Sequence, residues 1–581
     1  MRSSNRIAAS IALAALVALT ACCRSPKEEP VKVHPNVALP GPIQLHDVTQ
    51  ETGVTFKHTD GSSGRRYIVE AMSAGLALFD YNADGLIDIY FLNGSPMRGT
   101  KQEARPKNAL YRNEGHWKFT DVTEEAGVGD TGFGLGLTVG DYDNDGDSDL
   151  YLNNYGPNVL YRNNGNGTFS DVTGQAGVQN GNLVGAGACF LDMDKDGDLD
   201  LYVANYLNFS YDLHVERSYE GLPVYPSPRD YQPIPDTLYR NNGDGTFTDV
   251  SEESGVAMHA GTGMGTVCAD YDGDGDTDVF VLNDVGENFF FENDGTGKFE
   301  EVGVFIGAAY NYYGLENASM GADCGDFDND GHLDFIMTSY QGEMPVLYRN
   351  MGDRRFQDVS AATGAGTGAY PHVNWGTGLV DFDNDGDLDI FIANGHTEDN
   401  VDLRDESTSY RAPNLLLMNT GDRKFINVSE RSGNGLLPVF ASRGAAFDDL
   451  DNDGDLDAVI LNSRQGPTIL RNDSKNDHHW LQIRLQGVKT NRDGVGANVK
   501  VVAGDLTRVD EVHSGRGYQS HYGSRLHIGL GAHDHVDRIE VRWIGGSTDV
   551  FEDIEVDQLL TITEQPSIRS PANVASEGEG E

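Results

Sequence analysis

Asp141-Tyr-Asp-Asn-Asp-Gly-Asp-Ser-Asp149 carries a carboxylate at every odd position and a glycine at the sixth. Six more runs share its frame, at residues 80–88, 192–200, 270–278, 326–334, 381–389 and 449–457, with starts 51 to 78 residues apart. Before each comes a Gly-rich apolar stretch such as Gly134-Leu-Gly-Leu-Thr-Val-Gly140, and after each a β-rich run such as Leu150-Tyr-Leu-Asn153 or Val279-Phe-Val-Leu-Asn283. Short alternating segments bounded by turn formers read as strand, loop, strand. A third run, Leu110-Tyr-Arg-Asn113, recurs at Leu160, Leu238 and Leu347, and more loosely at Phe290, Leu416 and Leu470. A fourth, Phe119-Thr-Asp-Val122, recurs from Phe169, Phe247, Phe299, Phe356 and Phe425. The repeating unit is four strands, and the expected class is all-β.

The ends of the repeat region complete one another. Leu45-His-Asp-Val-Thr-Gln-Glu-Thr-Gly-Val54 reads as a fourth strand with no repeat before it, while the seventh repeat stops after its third strand at Arg471-Asn472. A ring closed by a strand from the far end removes the open sheet edge. An open solenoid would instead need atypical capping repeats. A seven-bladed β-propeller with calcium loops is therefore expected over residues 43–475.

Positions 1, 3, 5 and 9 of the first four runs are Asp80, Asn82, Asp84 and Asp88; Asp141, Asp143, Asp145 and Asp149; Asp192, Asp194, Asp196 and Asp200; and Asp270, Asp272, Asp274 and Asp278. The last three supply Asp326, Asp328, Asp330 and Asp334; Asp381, Asp383, Asp385 and Asp389; and Asp449, Asp451, Asp453 and Asp457. Alternate residues of a tight loop point toward one centre, the glycine lets the backbone turn, and the seventh carbonyl can add an oxygen, as Ca2+ requires. Asp, Asn and Gly are also ordinary turn residues. Solvated turns fail on charge, however: the runs hold 32 carboxylates, up to five within nine residues, and such crowding is repulsive unless a divalent ion sits among them. An EF-hand would place a bidentate Glu at position 12, but that position after Asp141 is Leu152, inside the next strand. The expectation is about one Ca2+ per blade, up to seven. The first loop is the weakest, with Asn82 and Leu86 where others carry Asp, and His332 in the fifth needs to offer only its backbone.

Residues 476–563 read as a separate, small β-sandwich-like domain, with His479-Trp-Leu-Gln-Ile-Arg-Leu, Ala497-Asn-Val-Lys-Val-Val, Arg538-Ile-Glu-Val-Arg-Trp and Gln558-Leu-Leu-Thr-Ile as short strands. Within it His513, Arg516, Tyr518, His521 and His527 crowd fifteen residues. They read either as a carbohydrate or anion site or as a structured loop at the domain interface. The Tyr- and Pro-rich insert at 206–236 is longer than a blade connection needs, so it either carries recognition or packs across the channel mouth.

At the N-terminus, Arg2 and Arg6 precede an apolar stretch from Ile7 to Leu19 and then Leu19-Thr-Ala-Cys22, a signal peptide (1–21) with a lipobox that makes Cys22 the lipidation site. The apolar run is 13 residues, where a membrane span needs about 20. A charged, Pro-containing tether covers residues 22–42, and an acidic tail, 564–581, is expected to be disordered. The chain is thus expected to be exported and membrane-anchored as a lipoprotein, at the outer membrane or cell surface, touching the membrane through its lipid only. A net charge of −49 excludes nucleic acid, which needs a basic face. Cys189, Cys268 and Cys324 precede acidic loops on expected strands and read as small core residues rather than a disulfide framework.

The nonapeptides with their Gly-rich lead-ins resemble the FG-GAP or VCBS repeats of integrin α-chain propellers. Together with Asn491-Arg-Asp-Gly-Val-Gly-Ala-Asn-Val499, Glu511-Val-His-Ser-Gly-Arg-Gly-Tyr-Gln519, Leu526-His-Ile-Gly-Leu-Gly531 and Val536-Asp-Arg-Ile-Glu-Val-Arg-Trp543, they are more similar still to the cartilage acidic protein family. There such a propeller precedes an ASPIC and UnbV domain. The resemblance implies calcium at the Asp and Asn positions named above and binding at a cell surface or matrix. It does not supply a ligand, and family cysteines in the insert after the third loop are missing between Tyr206 and Asp236. The sequence holds no Gly-x-Ser-x-Gly elbow, His-Glu-x-x-His or phosphate loop. A calcium-binding adhesion or ligand-binding module for a protein or glycan is therefore the expected function, with a calcium-dependent polysaccharide lyase or hydrolase as the alternative and no catalytic residue identified.

Overall fold

Each acidic run turns the chain between two antiparallel strands. The computed structural model describes residues 41–72, 74–101 and 105–565. In it Phe133–Gly140 leads into the run at 141–149 and Asp149–Tyr155 leaves it, with Gly140 opposite Asp149. Val159–Asn163 and Phe169–Asp171 follow as third and fourth strands. The burial of each strand explains its composition. The first two are buried along both faces; the first is apolar or small throughout and the second is apolar between its leading Asp and its closing Asn residues, whereas the short fourth strand buries only its leading Phe, as in Phe119–Asp121.

Among the described residues seven sheets carry this four-strand order, one of them extended by Asn317–Ala318. The last takes its fourth strand from the other end of the chain: Leu45 lies opposite Asn472 and Asp47 opposite Leu470. Each first strand lies beside the first strand of the next sheet, and Ser442–Asp448, the last, lies beside Leu76–Phe79, the first. The architecture is all-β and propeller-like, with only short helical turns between sheets.

Two sequence features hold neighbouring sheets together. A glycine stands five residues ahead of every acidic run, at Gly75, Gly136, Gly187, Gly265, Gly321, Gly376 and Gly444. At each, a Cβ would come within 3.0 Å of a neighbouring strand or of the segment filling the centre; Gly265 faces the Met320 carbonyl and Gly321 the Trp375 carbonyl. This close approach accounts for the Gly-rich lead-ins.

The second feature is the Asn that ends each third strand. Its side-chain amide donates to the carbonyl of the second residue in the preceding acidic run: Asn163 to Tyr81 (2.8 Å), Asn241 to Tyr142 (2.8 Å), Asn293 to Met193 (2.9 Å), Asn350 to Tyr271 (2.7 Å), Asn419 to Phe327 (3.0 Å) and Asn472 to Phe382 (2.7 Å). Asn113 in the first repeat donates to Leu450 in the last at 2.8 Å, so the series returns on itself.

The C-terminal region forms two sheets. His479–Gln486 pairs antiparallel with Leu526–Gly531 and parallel with Gln558–Thr563. Asn498–Ala503 lies between Leu506–Glu511 and His535–Arg542, with Thr548–Glu555 outside. Leu481, Ile483, Val499, Val501, Ile539, Val541 and Trp543 belong to one buried cluster. Glu564, which the sequence reading put in the disordered tail, is only 2% exposed. Its Oε2 accepts the backbone N–H groups of Val488, Lys489 and Thr490 at 2.9, 2.7 and 3.1 Å, so this acidic side chain is fixed by three donors rather than solvated. The signal peptide, Cys22, the tether up to residue 40 and the tail from 566 lie outside the described residues. No helix of the described residues is long and apolar enough to cross a membrane.

Candidate metal centre

The acidic runs fold alike because two of their residues take left-handed backbone. The fourth position does so at Asn144, Lys195, Asn329, Asn384 and Asn452, and the sixth is Gly146 (φ 99°), Gly197, Gly331, Gly386 and Gly454 in the same loops. Gly tolerates that conformation freely and Asn better than most. The turn brings backbone donors onto the first carboxylate: Asp141 accepts from Asp145 at 3.0 Å and from Gly146 at 2.7 Å. The ninth carboxylate reaches back, Asp149 accepting from Tyr142 at 3.1 Å and from Asn163 at 2.7 Å, while Asp145 accepts from Asp147 at 3.0 Å.

The third carboxylate is left over. One oxygen each of Asp143, Asp194, Asp328, Asp383 and Asp451 is buried without a hydrogen-bond partner. A buried acceptor left unmade costs about 1–3 kcal/mol and calls for an explanation. Ligand oxygens of Asp141, Asp143 and Asp149 lie within 4.8 Å of one another, as do those of Asp192, Asp194 and Asp200; Asp270, Asp272 and Asp278; Asp326, Asp328 and Asp334; and Asp381, Asp383 and Asp385. Hard oxygens converging at this spacing, with an orphaned oxygen in four of these five clusters, could hold a metal ion.

Electrostatics point the same way. Burial is the main cause that pushes Asp141 and Asp192 up to about 7, Asp326 to about 6 and Asp88 to about 8. Burial also holds Asp149, Asp200, Asp278, Asp334, Asp389 and Asp457 well above the usual carboxylate range. A cation among them would restore the ionised forms.

The loops are not equivalent. In the first, Asn82 donates to Asp84 at 2.9 Å, so the amide that replaces an acid takes up one of the remaining carboxylate oxygens. In the fifth, Arg349 donates to Asp328 and Asp330 at 2.6 Å each and Arg423 lies 3.0 Å from Asp328, so guanidinium groups compete there with any metal.

The C-terminal domain sits on these loops and meets them largely with arginine. Arg542 binds Asp270 at 2.6 Å; Arg508 donates to Asn329 at 2.6 Å and to the Gly386 carbonyl at 2.9 Å; Arg525 donates to Asp448 at 2.5 Å and to the Asp449 carbonyl at 2.7 Å. Gln482 donates to Asp449 at 2.9 Å, and Asp493 accepts the Asp141 N–H at 2.8 Å.

From this domain residues 513–522 enter the ring of first strands. Gly517 and Ala322 exchange backbone hydrogen bonds of 2.6 and 2.9 Å, Leu78 donates to His521 at 3.0 Å, and Ser514 donates to the Val139 carbonyl at 2.5 Å. The residues read either as a ligand site or as a structured loop at the domain interface lie on this plug, and their partners favour the interface loop. His513 is sandwiched between the Cys268 carbonyl (2.9 Å) and the Cys324 sulfur (3.2 Å). Arg516 donates to Asp323 at 2.5 Å and to the Cys324 carbonyl at 3.1 Å. The Tyr518 hydroxyl donates to the Met72 carbonyl at 3.2 Å and its ring packs on Trp375, while His521 Nδ1 accepts the Gly515 N–H at 3.2 Å. All four are buried, and burial, then Arg516, lowers His513 and His521 to about 3, leaving them neutral. They form the interface loop. Cys189, Cys268 and Cys324 are buried free thiols along the same channel.

Strand alternation sends the connections from second to third strands, and from each sheet to the next, to the end opposite the acidic loops. There the insert buries Tyr206, Leu207, Phe209 and Tyr231 in one cluster with Tyr67, Ile68, Met72, Trp375 and the plug's Tyr518. The insert thus packs across the channel mouth. Tyr219 on the insert itself and Tyr312 (72%), Tyr313 (80%), Leu315, Tyr370 and Leu403 on other loops of that end remain exposed. The sequence singled out the third run but not the role of its Asn, the glycines were read only as a Gly-rich stretch, and the interface-loop reading of residues 513–522 did not show that they enter the ring of first strands.

Comparison with known proteins fits this geometry. FG-GAP-like repeats match residues 80–152, 141–203, 230–281, 270–337, 326–392 and 381–460, and an ASPIC and UnbV domain matches residues 487–569. Cartilage acidic protein 1 of Mus musculus is 24% identical over 527 residues, covering 78% of this chain and 76% of that protein. The Homo sapiens protein of the same name is 26% identical over 376 residues, covering 62% of this chain and 50% of its own length. This chain thus spans about half the length of the human relative. A rhamnogalacturonan lyase of Bacillus licheniformis aligns at 11% identity over 74% of this chain and 75% of its own, with a TM-score of 0.35. The repeats, the domain that caps them and the relatives agree: the chain belongs to the family of FG-GAP-like repeat proteins that carry an ASPIC and UnbV domain.

Proposed function

We propose that this chain is a calcium-loaded, seven-bladed propeller, tethered to a cell envelope through a lipid on Cys22, that presents its insert-bearing face to a protein or glycan ligand. The cyclic series of Asn side chains, with Asn113 reaching Leu450, supports the closed ring. The orphaned third carboxylates support calcium in the acidic loops, and those loops are roofed by the C-terminal domain, which makes the ion a structural element rather than a reagent. Magnesium demands a tighter octahedron and fits such loops less well.

The observation that carries the binding role is the group of exposed aromatic and aliphatic side chains, Tyr312, Tyr313, Leu315, Tyr370 and Leu403, on loops at the end away from the acidic runs. Large apolar side chains gathered at loop tips mark interaction surfaces, and Tyr gives contact area at low entropic cost. The test is a screen of the mature chain, in calcium, against glycan and extracellular-protein arrays beside a Tyr312→Ala/Tyr313→Ala variant. Hits that vanish in the variant support the face. Hits that survive unchanged place recognition elsewhere.

A further inference from the structure

The geometry points to a binding site for a small organic cation in the cavity beneath the insert, next to the exposed rim. This inference rests on the reading of that end as the ligand face.

The cavity is about 300 Å³ and is lined by Tyr206, Tyr225, Tyr340 and Trp375 together with Met72, Met264 and Met320. Its volume sits at the small end of the range for small-molecule sites. Three carboxylates join the lining, Asp284, Glu343 and Glu398, and no Lys, Arg or His does. Glu398 is already occupied: it accepts the Tyr225 N–H at 2.6 Å and pairs with Arg66 at 2.9 Å. The other two are not neutralised. Asp284 accepts the Tyr206 hydroxyl at 2.6 Å, and Glu343 accepts the Ala318 N–H at 2.8 Å, with the Tyr340 backbone also favouring its charged form. Among the described residues neither has an ion-pair partner within 4.0 Å, and the nearby Arg229 is engaged by Glu316 at 2.8 Å.

Two half-satisfied carboxylates at an aromatic cavity select by charge. Aromatic faces attract a cation within about 6 Å of the ring centre, most strongly where water is excluded. A primary ammonium would also donate to the Asp284 and Glu343 carboxylates, whereas a neutral sugar would stack on the rings and leave both charges uncompensated. Burial holds Asp284 up at about 7 and raises Glu343, a cost that a bound cation relieves. Arg443 already covers Trp375 at 4.1 Å while donating to the carbonyls of Ala71, Gly395 and His396, so the tyrosine rings are the cation-attracting faces of the lining. The expected ligand class is thus a small mono- or diamine, or a quaternary ammonium, that carries no carboxylate of its own.

Calorimetric titration of the calcium-loaded chain with putrescine, choline and N-acetylglucosamine tests this. The expected result is one-site binding of putrescine or choline, weakened at least ~10-fold by Asp284→Asn and by Glu343→Gln and by added salt, with no heat from the sugar. Both variants should keep the parent melting temperature and calcium content; Glu343 is the less buried, so its variant keeps the test valid if Asp284→Asn unfolds. Sugar binding without cation binding, or no binding of any of the three, overturns the proposal. Array hits that depend on Tyr312 and Tyr313, combined with silent cation titrations, overturn only this inference and leave the ligand face standing. Cation binding beside blank arrays supports this inference and removes the macromolecular reading of the rim.

Discussion

Replacing Arg516 by Met tests whether the plug is integral to the propeller. Arg516 is 8% exposed and its partner Asp323 is fully buried. The guanidinium lies 2.5 Å from Asp323, 3.1 Å from the Cys324 carbonyl and over the Tyr522 ring at 4.9 Å. Met fills much of the same volume but leaves Asp323 with only the Leu379 N–H (2.7 Å) and the Tyr522 hydroxyl (3.1 Å). At an effective dielectric near 20 a close ion pair is worth about 4 kcal/mol, and breaking a buried pair by removing one partner costs about 3–5 kcal/mol. Arg516→Met should therefore lower the unfolding free energy by about 3–5 kcal/mol in urea at neutral pH with saturating calcium. Adding Asp323→Asn should recover about half of that, giving a coupling of at least ~2 kcal/mol. Additive effects below about 1 kcal/mol each would mean that the plug only rests in the channel and the domains are energetically independent.

Acid and calcium should act in opposite directions. In chelator, Asp141 and Asp192, raised from 3.8 to about 7 by burial, give the folded state more bound protons than the unfolded state across that window, so stability should fall as pH rises from about 4 to about 7. With calcium saturating, bound ions require ionised carboxylates, so the melting temperature should instead fall on acidification; parallel curves would contradict the cation reading. Glu564→Ala removes the acceptor of three backbone N–H groups and should destabilise the C-terminal domain by about 1–3 kcal/mol, with a loss under ~0.5 kcal/mol showing that the tail is dispensable from residue 564. Asn113→Ala deletes bonds to both Ile87 and Leu450 and should cost about 1–3 kcal/mol in urea, far more than Ala at the exposed Asn166.

The repeating unit was legible because strand alternation and acidic turns are local signals, each complete within about a dozen residues. The pairing of Leu45–Asp47 with Thr468–Asn472 also followed from the sequence, since counting strand types exposed a surplus fourth strand at one end and a deficit at the other. The glycine five residues before each run was visible as a Gly-rich stretch, but its cause is the approach of a neighbouring strand that no local reading supplies. The partners of the interface loop were beyond reach for the same reason: Gly517 pairs with Ala322, and Tyr518 reaches Met72 across 446 residues of chain. The sequence left His513, Arg516, Tyr518 and His521 open between a ligand site and an interface loop, because polar and aromatic residues in a Gly-rich segment suit either. In the fold, buried carbonyls and Asp323 satisfy them.

The most direct test of the account is to count metal on the exhaustively dialysed chain from residue 43 onward and to follow its thermal unfolding in calcium, magnesium and chelator. The account predicts about five to seven calcium ions per chain and a large fall in melting temperature on chelation that magnesium does not reverse, since each site filled at ten times its Kd contributes about 1.4 kcal/mol. Fewer than about three ions and an unshifted melt would contradict it, leaving the acidic runs as turns whose buried carboxylates are held protonated.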